Sequence, residues 1–268
     1  MKYGFIGTGC MGGALATACA KAIGPEDILL SNRSPEKAQA LAERLGAIPA
    51  DNETITRDCD VIFLGVKPQT MAQMLLPLQP ILTGRRTPFV LVSMAAGVTI
   101  ETLQDMAGGR YPVVRIMPNT ACAVGAGMTT YTCSAEVTDR QRQAVLDALA
   151  ASGLLEEIEE GLMGAASAVA GCGGAYACLF LEGLADGGVL CGLPRKKAQR
   201  MAAQMLLGMA TQTLESDEHT GALKDAVCSP AGSTIAGIRK LESMSFRSAA
   251  MEAVIAAWER DREMQQQK

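Results

Sequence analysis

Gly4-Phe5-Ile6-Gly7-Thr8-Gly9-Cys10-Met11-Gly12-Gly13-Ala14-Leu15 stands almost at the start of a 268-residue chain. Tyr3 to Ile6 reads as a short buried strand, Gly7 to Gly9 as a tight turn, and Met11 to Ile23 as an alanine-rich helix. In this spacing Gly7 makes the turn, Gly9 lets backbone approach a pyrophosphate, and Gly12 lets the helix pack closely on the strand. The helix start adds unpaired N–H groups and the positive end of a dipole, both of which favour phosphate. Gly7, Thr8, Gly9, Cys10, Met11 and Gly12 therefore form a candidate dinucleotide-binding loop. A glycine-rich turn alone is weak evidence, but the strand before it, the helix after it and a second strand at Asp27 to Ser31 strengthen it.

The remaining composition narrows the partners. With 49% hydrophobic residues the chain can bury a sizeable core, and its length allows two domains. A net charge of −4 and a pI near 5.2 argue against a broad surface for nucleic acid or anionic membrane. Nine cysteines without a CxxC pair, and no signal-peptide pattern, read as reduced apolar residues of a cytoplasmic protein. A single histidine, His219, with no Cys/His cluster nearby gives no expectation of a metal site. Gly161 to Leu181 carries no charge and is long enough to span a bilayer. Its Gly and Ala content, the acids Glu182 and Asp186 behind it and the lack of a basic flank favour a buried core helix instead.

After the second strand, where NAD sites usually place an acid, the chain has Ser31-Asn32-Arg33-Ser34. No carboxylate there repels a 2′-phosphate, and Arg33 offers a charge-assisted fork, so Asn32, Arg33 and Ser34 predict NADPH, with NADH as the alternative. The plain alternative is a solvated Arg33 with Ser34-Pro35 starting the next helix, to Leu45. Ile48 to Ala50 offers a minor strand. Asp60 to Val66 is an apolar run, as expected of an inner parallel strand, and ends in Lys67-Pro68-Gln69. Phe89 to Met94 and Pro112 to Met117 continue the alternation, leading to Ala95-Ala96-Gly97, with a helix from Thr99 to Met106, and to Pro118-Asn119-Thr120. Val66, Lys67, Pro68, Ala95, Ala96, Gly97 and Asn119 are thus candidate contacts of a nicotinamide and its ribose, although turn chemistry alone also explains Pro68, Gly97 and Pro118. Gly127 to Cys133 and Leu155 to Ile158 are expected as edge strands around a helix from Asp139 to Ser152. Beyond Leu162 strand signals vanish and helices are expected through Gly192, then Pro194 to Leu214, Gly232 to Ser243 and Phe246 to Met264. The predicted architecture is an α/β doubly wound sheet of Rossmann type over residues 1–160, followed by an all-helical domain over 161–268. Met201, Met205 and Met209 read as core of those helices.

One further turn carries chemistry. Ser229-Pro230-Ala231-Gly232-Ser233-Thr234 is a hydroxyl-rich, proline-started helix entry before Ile235 and Ile238. Backbone N–H groups of Gly232, Ser233 and Thr234, with the Ser229 or Ser233 hydroxyl, suit a substrate carboxylate; the plain alternative is a helix capped by Ser229. His219, in a polar acidic turn, reads as a solvated or capping residue.

The quoted residues, together with Arg115-Ile116-Met117-Pro118-Asn119-Thr120, Ala175-Tyr176, Gly192-Leu193-Pro194-Arg195 and Leu223 to Ile235, resemble the pyrroline-5-carboxylate reductase family over essentially the whole chain. The resemblance implies a helical domain that interlocks with a second subunit in a homodimer, or a larger oligomer, and a signature turn that meets the nicotinamide at the dimer interface. It also implies NAD(P)H reduction of the cyclic imine 1-pyrroline-5-carboxylate to L-proline. Reducing a protonated imine needs orientation and a donor near the ring nitrogen rather than a strong base. Thr234 is the expected donor, with Ser229 beside it and Tyr176 a weaker candidate. The family's Ser-Pro-Gly-Gly reads Ser229-Pro230-Ala231-Gly232 here, its Pro-Asn-Thr-Pro ends in Ala121, and Cys172 and Gly174 depart from Ser-Gly-Ser-Gly-Pro-Ala-Tyr. These changes leave another cyclic imine, such as a piperideine-carboxylate, as an alternative substrate, and a non-catalytic nucleotide sensor as a more distant one. A β-hydroxyacid dehydrogenase would need a lysine on the first helix of its second domain, and Leu162 to Cys191 contains none.

Overall fold

The computed structural model describes residues 1–266. They divide into two compact units, one of Met1–Cys172 with the chain from Ala257 onward, the other of Gly173–Ala256.

In the first unit β1 (Tyr3–Ile6) feeds α1 (Cys10–Ile23), which begins one residue before the pattern predicts. β2 (Ile28–Ser31), α2 (Pro35–Leu45), β3 (Ile48–Pro49), α3 (Asn52–Asp58) and β4 (Val61–Leu64) follow. The chain then forms α4 (Pro68–Leu75), α5 (Gln79–Gly84), β5 (Val90–Ser93), α6 (Ile100–Ala107), β6 (Val113–Met117) and β7 (Gly127–Cys133). It closes with α7 (Asp139–Leu149), β8 (Gly153–Glu157) and the short α8 (Met163–Ala166), which runs into a π-helical turn at Ser167–Gly171.

All eight strands join one sheet in the order β3-β2-β1-β4-β5-β6-β7-β8. Every neighbouring pair is parallel except β6 with β7. The winding reverses at β1 and β4, and open sheets of this kind take ligands at the carboxyl ends of strands beside such a reversal. β1, β2, β4 and β5 are buried along their whole length, as continuous apolar runs require. Each face has its own core: Phe5, Leu15 and Val92 on the α1 and α7 side, and Ile62, Met71 and Leu91 on the other. The Phe5 and Phe63 rings stack at 4.3 Å and lock β1 to β4. Burying each such side chain contributes about 1.5–3 kcal/mol.

The second unit is helical: α9 (Gly173–Leu190), α10 (Arg195–Glu215), α11 (Thr220–Ala226), α12 (Ser233–Ser243) and the first half of α13 (Phe246–Gln266). α11 carries no predicted counterpart; its cap is His219, whose Nδ1 accepts the Gly221 N–H at 3.0 Å. The expectation of a buried core helix is overturned, because α9 buries only Ala185. Glu160–Leu190 is long and apolar enough to cross a membrane by length and composition alone, yet only 6% of its apolar 18-residue window is buried. Met201 and Met205 of α10 are likewise exposed rather than core. The physical reason is shared: an apolar pattern shows that a surface needs cover, and in these helices this chain alone does not supply it.

Candidate functional site

Five turns lie at the carboxyl edge of the parallel strands: Gly7–Gly9 after β1, Asn32–Ser34 after β2, Gly65–Lys67 after β4, Ala95–Gly97 after β5 and Pro118–Thr120 after β6. All predicted cofactor contacts of the sheet unit fall in these turns, apart from those on the first turns of α1 and α4.

The phosphate loop is held by packing that tolerates no side chain. Gly7 has φ +97°, and a Cβ on Gly12 would sit 2.1 Å from the Gly7 carbonyl oxygen. Gly65, which sequence reading did not single out, presses its backbone on the same oxygen, so the ends of β1 and β4 meet backbone to backbone. The Gly7 and Thr8 N–H groups both donate to the Ser31 carbonyl, at 2.9 and 3.2 Å, and Thr8 is buried. Gly9 differs from its neighbours: a Cβ there would meet nothing within 4 Å. Packing does not require glycine at that position, whereas a close-lying pyrophosphate does. α1 begins at Gly9 without a side-chain cap and without an acid in its first turn, so its first N–H groups face the exposed positions Gly9 and Cys10. The residues present therefore fit a dinucleotide pyrophosphate.

The turn after β2 borders a groove of about 930 Å³ lined by Ser31, Asn32, Arg33, Asn52 and Glu53. Ser31 Oγ donates to Asn52 Oδ1 at 2.6 Å, and Arg33 is exposed. Ser34 caps α2 with Pro35 behind it, as the sequence predicts, but makes no side-chain cap bond. Asp51, on the same groove, is held below the usual carboxylate range by the Thr54 N–H at 2.7 Å, which leaves it spent as the cap of α3. Lys67 and Ala96 are exposed, Val66, Pro68 and Gly97 half-buried, and Ala95 buried. Asn119 is engaged with protein: its amide donates to the Ala170 carbonyl at 3.1 Å, and its oxygen accepts the Met128 N–H at 3.3 Å. It holds the π-helical turn to the end of β6. Burial pushes the Cys19 and Cys59 thiols up to about 12, which removes both from any nucleophilic role.

In the helical unit, Ser229, Ser233 and Thr234 are exposed around the start of α12. The helix is entered at Gly232 with no side-chain cap, so the capping explanation of the hydroxyls is not the one used. Ser229 instead lies against Gly232: a Cβ there would fall 2.4 Å from Ser229 Oγ, and the Gly232 N–H donates to the Ser229 carbonyl at 3.0 Å. Tyr176, the weaker candidate, donates its hydroxyl to the Ala253 carbonyl at 3.1 Å and so ties α9 to α13. Among the described residues no cluster of His, Cys, Asp and Glu is suited to a metal ion.

Comparison with known proteins agrees with this layout. Residues 160–264 match the model of pyrroline-5-carboxylate reductase dimerisation, and residues 2–97 that of NADP oxidoreductase, coenzyme F420-dependent. The pyrroline-5-carboxylate reductase of Methanosarcina acetivorans is 39% identical over 266 residues, covering 98% of this chain and 97% of its own. That of Escherichia coli is 38% identical with 98% of each chain covered. The chain belongs to the pyrroline-5-carboxylate reductase family. The solved structure of the Plasmodium falciparum pyrroline carboxylate reductase, which has NADP bound, superposes with a TM-score of 0.87 at 34% identity, covering 99% of this chain and 98% of that one. Within the reductase family frame, Ala231 gains significance. It stands at φ +58°, in the left-handed region that glycine adopts freely and alanine does not. The exposed apolar helix α9 and the exposed Met201, Met205, Leu207 and Leu214 of α10 lie inside the dimerisation match.

Proposed function

We propose that this chain reduces 1-pyrroline-5-carboxylate to L-proline with NADPH, residues 1–160 holding the cofactor and residues 161–268 providing dimerisation and substrate binding. A bound reduced nicotinamide would supply a hydride to the imine carbon, the C=N electron pair going to a ring nitrogen that already carries a proton. The chain's own residues bind, orient and exclude. Backbone N–H groups from Gly9 to Gly12 hold the pyrophosphate, and Asn32, Arg33 and Ser34 take the 2′-phosphate, a contact that NADH lacks. Val66, Lys67 and Pro68 with Ala95, Ala96 and Gly97 line the nicotinamide end, and Asn119 keeps that wall in place.

The reading rests on one observation above the others: the uncapped start of α12, set among three exposed hydroxyls. Backbone N–H groups of Gly232, Ser233 and Thr234 together with Ser229 grip the substrate carboxylate, and Thr234 places its hydroxyl at the ring nitrogen. No strong base is needed, because a protonated imine already accepts hydride; reacting atoms held about 3–3.5 Å apart do the rest. The uncovered helices support a homodimer with interlocked α9, α10 and α13, and possession of nine free thiols suits the cytoplasm.

The test is to follow NADPH absorbance with pyrroline-5-carboxylate, piperideine-6-carboxylate and, with NADP, a 3-hydroxyacid. Turnover is expected with the first, and kcat/KM for the second is expected to be about 10–200-fold lower, the usual weight of one methylene. Preference for piperideine-6-carboxylate would reassign the substrate, and oxidation of the hydroxyacid alone would end the imine reading.

A further inference from the structure

Arg115, in the middle of β6, is a buried cation whose side chain is 5% exposed. Its Nη1 lies 3.0 Å from Glu160 Oε1. The same oxygen accepts the Ile100 N–H at 2.7 Å. Ile100 is the first residue of α6, and the side chain of its cap, Thr99, accepts one helix-start N–H, that of Thr102, at 3.1 Å. Glu160 therefore satisfies a helix-start donor that the local cap leaves over. One carboxylate oxygen thus joins β6 to the start of α6 from a residue 45 and 60 positions further along the chain.

Between β5 and α6 runs Met94–Val98, which contains Ala95, Ala96 and Gly97, the last at φ +69°. At its β5 end the Ala95 N–H faces Ser93 Oγ at 3.4 Å, and Ser93 is the register partner of Arg115. At its α6 end the fixture is Glu160. The cation of this pair is buried and the carboxylate half-buried, and such a pair is poor evidence of stability, since apolar side chains of the same volume often do as well; what it supplies is a defined geometry.

We infer that Glu160 is a positioning residue of the reduction. Through the Ile100 N–H and Arg115 it holds the Ala95–Gly97 turn at the nicotinamide end of the cofactor, an assignment that rests on the reading of that turn given above. The adenine end is untouched by this brace, so its loss falls on turnover rather than on cofactor affinity.

Single variants at Glu160 leave the Arg115 charge buried and unpaired, and so endanger folding. Two double variants avoid this: Arg115→Met with Glu160→Gln keeps an acceptor for the Ile100 N–H, and Arg115→Met with Glu160→Leu does not. Both are compared well below their melting temperatures for kcat, KM for NADPH, and hydrogen exchange of residues 94–104 in the cofactor-free enzyme. The expected result is exchange and kcat within about twofold of wild type for the first. For the second, exchange is about tenfold faster and kcat about tenfold lower, with KM for NADPH within twofold in both. Wild-type exchange in the second variant overturns the brace, and faster exchange there with wild-type kcat overturns the positioning role. A wild-type enzyme without imine turnover would instead sink the reductase reading, and the exchange comparison would still report on the brace.

Discussion

In the sheet unit β1, β2, β4 and β5 are buried at every residue, whereas the eighteen residues of α9 bury Ala185 alone. Both segments are apolar enough to demand cover. The sheet finds it within its own chain, through helices on each face; the helical unit presents Leu179, Leu190, Met201 and Leu214 to the outside. Hydrophobicity along a sequence thus reports how much surface must be hidden, and it is silent on whose atoms hide it. In our proposal the same division separates the chemistry, with the phosphate-binding backbone on the self-sufficient unit and the hydroxyl turn on the unit that matches the dimerisation model.

Three measurements would break or sharpen this contrast. The largest effect is expected for Leu179→Glu, 71% exposed in the single chain and placed by our reading at the subunit contact. A charge there should raise the dimer dissociation constant roughly 100-fold, about 3 kcal/mol, seen in light scattering against concentration. An unchanged dimer would mean that this face of α9 stays in water. Next is Thr234→Ala, which should lower kcat about 10–100-fold, the weight of about 1.5–3 kcal/mol for a hydrogen bond to a charged group, and leave NADPH binding by fluorescence unaltered. Wild-type turnover would remove Thr234 from the reaction. Smallest is Arg33→Ala: KM for NADPH should rise about tenfold, because an exposed fork contributes near the lower end of that range, and KM for NADH should stay put. Equal shifts for both cofactors would show that Arg33 does not read the 2′-phosphate.

Much of the sheet unit could be read in advance because its signals are local. A strand, a glycine turn and a helix in twelve residues announce β1 and α1, and Ser34-Pro35 announces α2. Other features escaped for physical reasons. α4 and α5 lie in a stretch broken by Pro77 and Pro80, where no long periodicity builds up. Gly65 resembles any glycine after a strand until the Gly7 carbonyl is seen against it. The left-handed backbone of Ala231 is hidden, since alanine gives no hint of positive φ. Glu160 reads as one more acid in Glu156-Glu157-Ile158-Glu159-Glu160, and only folding brings it to Arg115. The hydroxyl turn was legible as chemistry; the uncapped state of α12 was not.

The backbone contact among Gly7, Gly12 and Gly65 has an engineering consequence. A methyl group anywhere in that knot would force two main chains apart, so it is closed to redesign. The turn at Asn32 to Ser34 lies outside the knot, with Asn32 and Arg33 lining the groove and Arg33 exposed. If Asn32, Arg33 and Ser34 take the 2′-phosphate as we propose, retuning this enzyme toward the coenzyme that lacks that phosphate is a task for these three positions and leaves the glycine knot untouched.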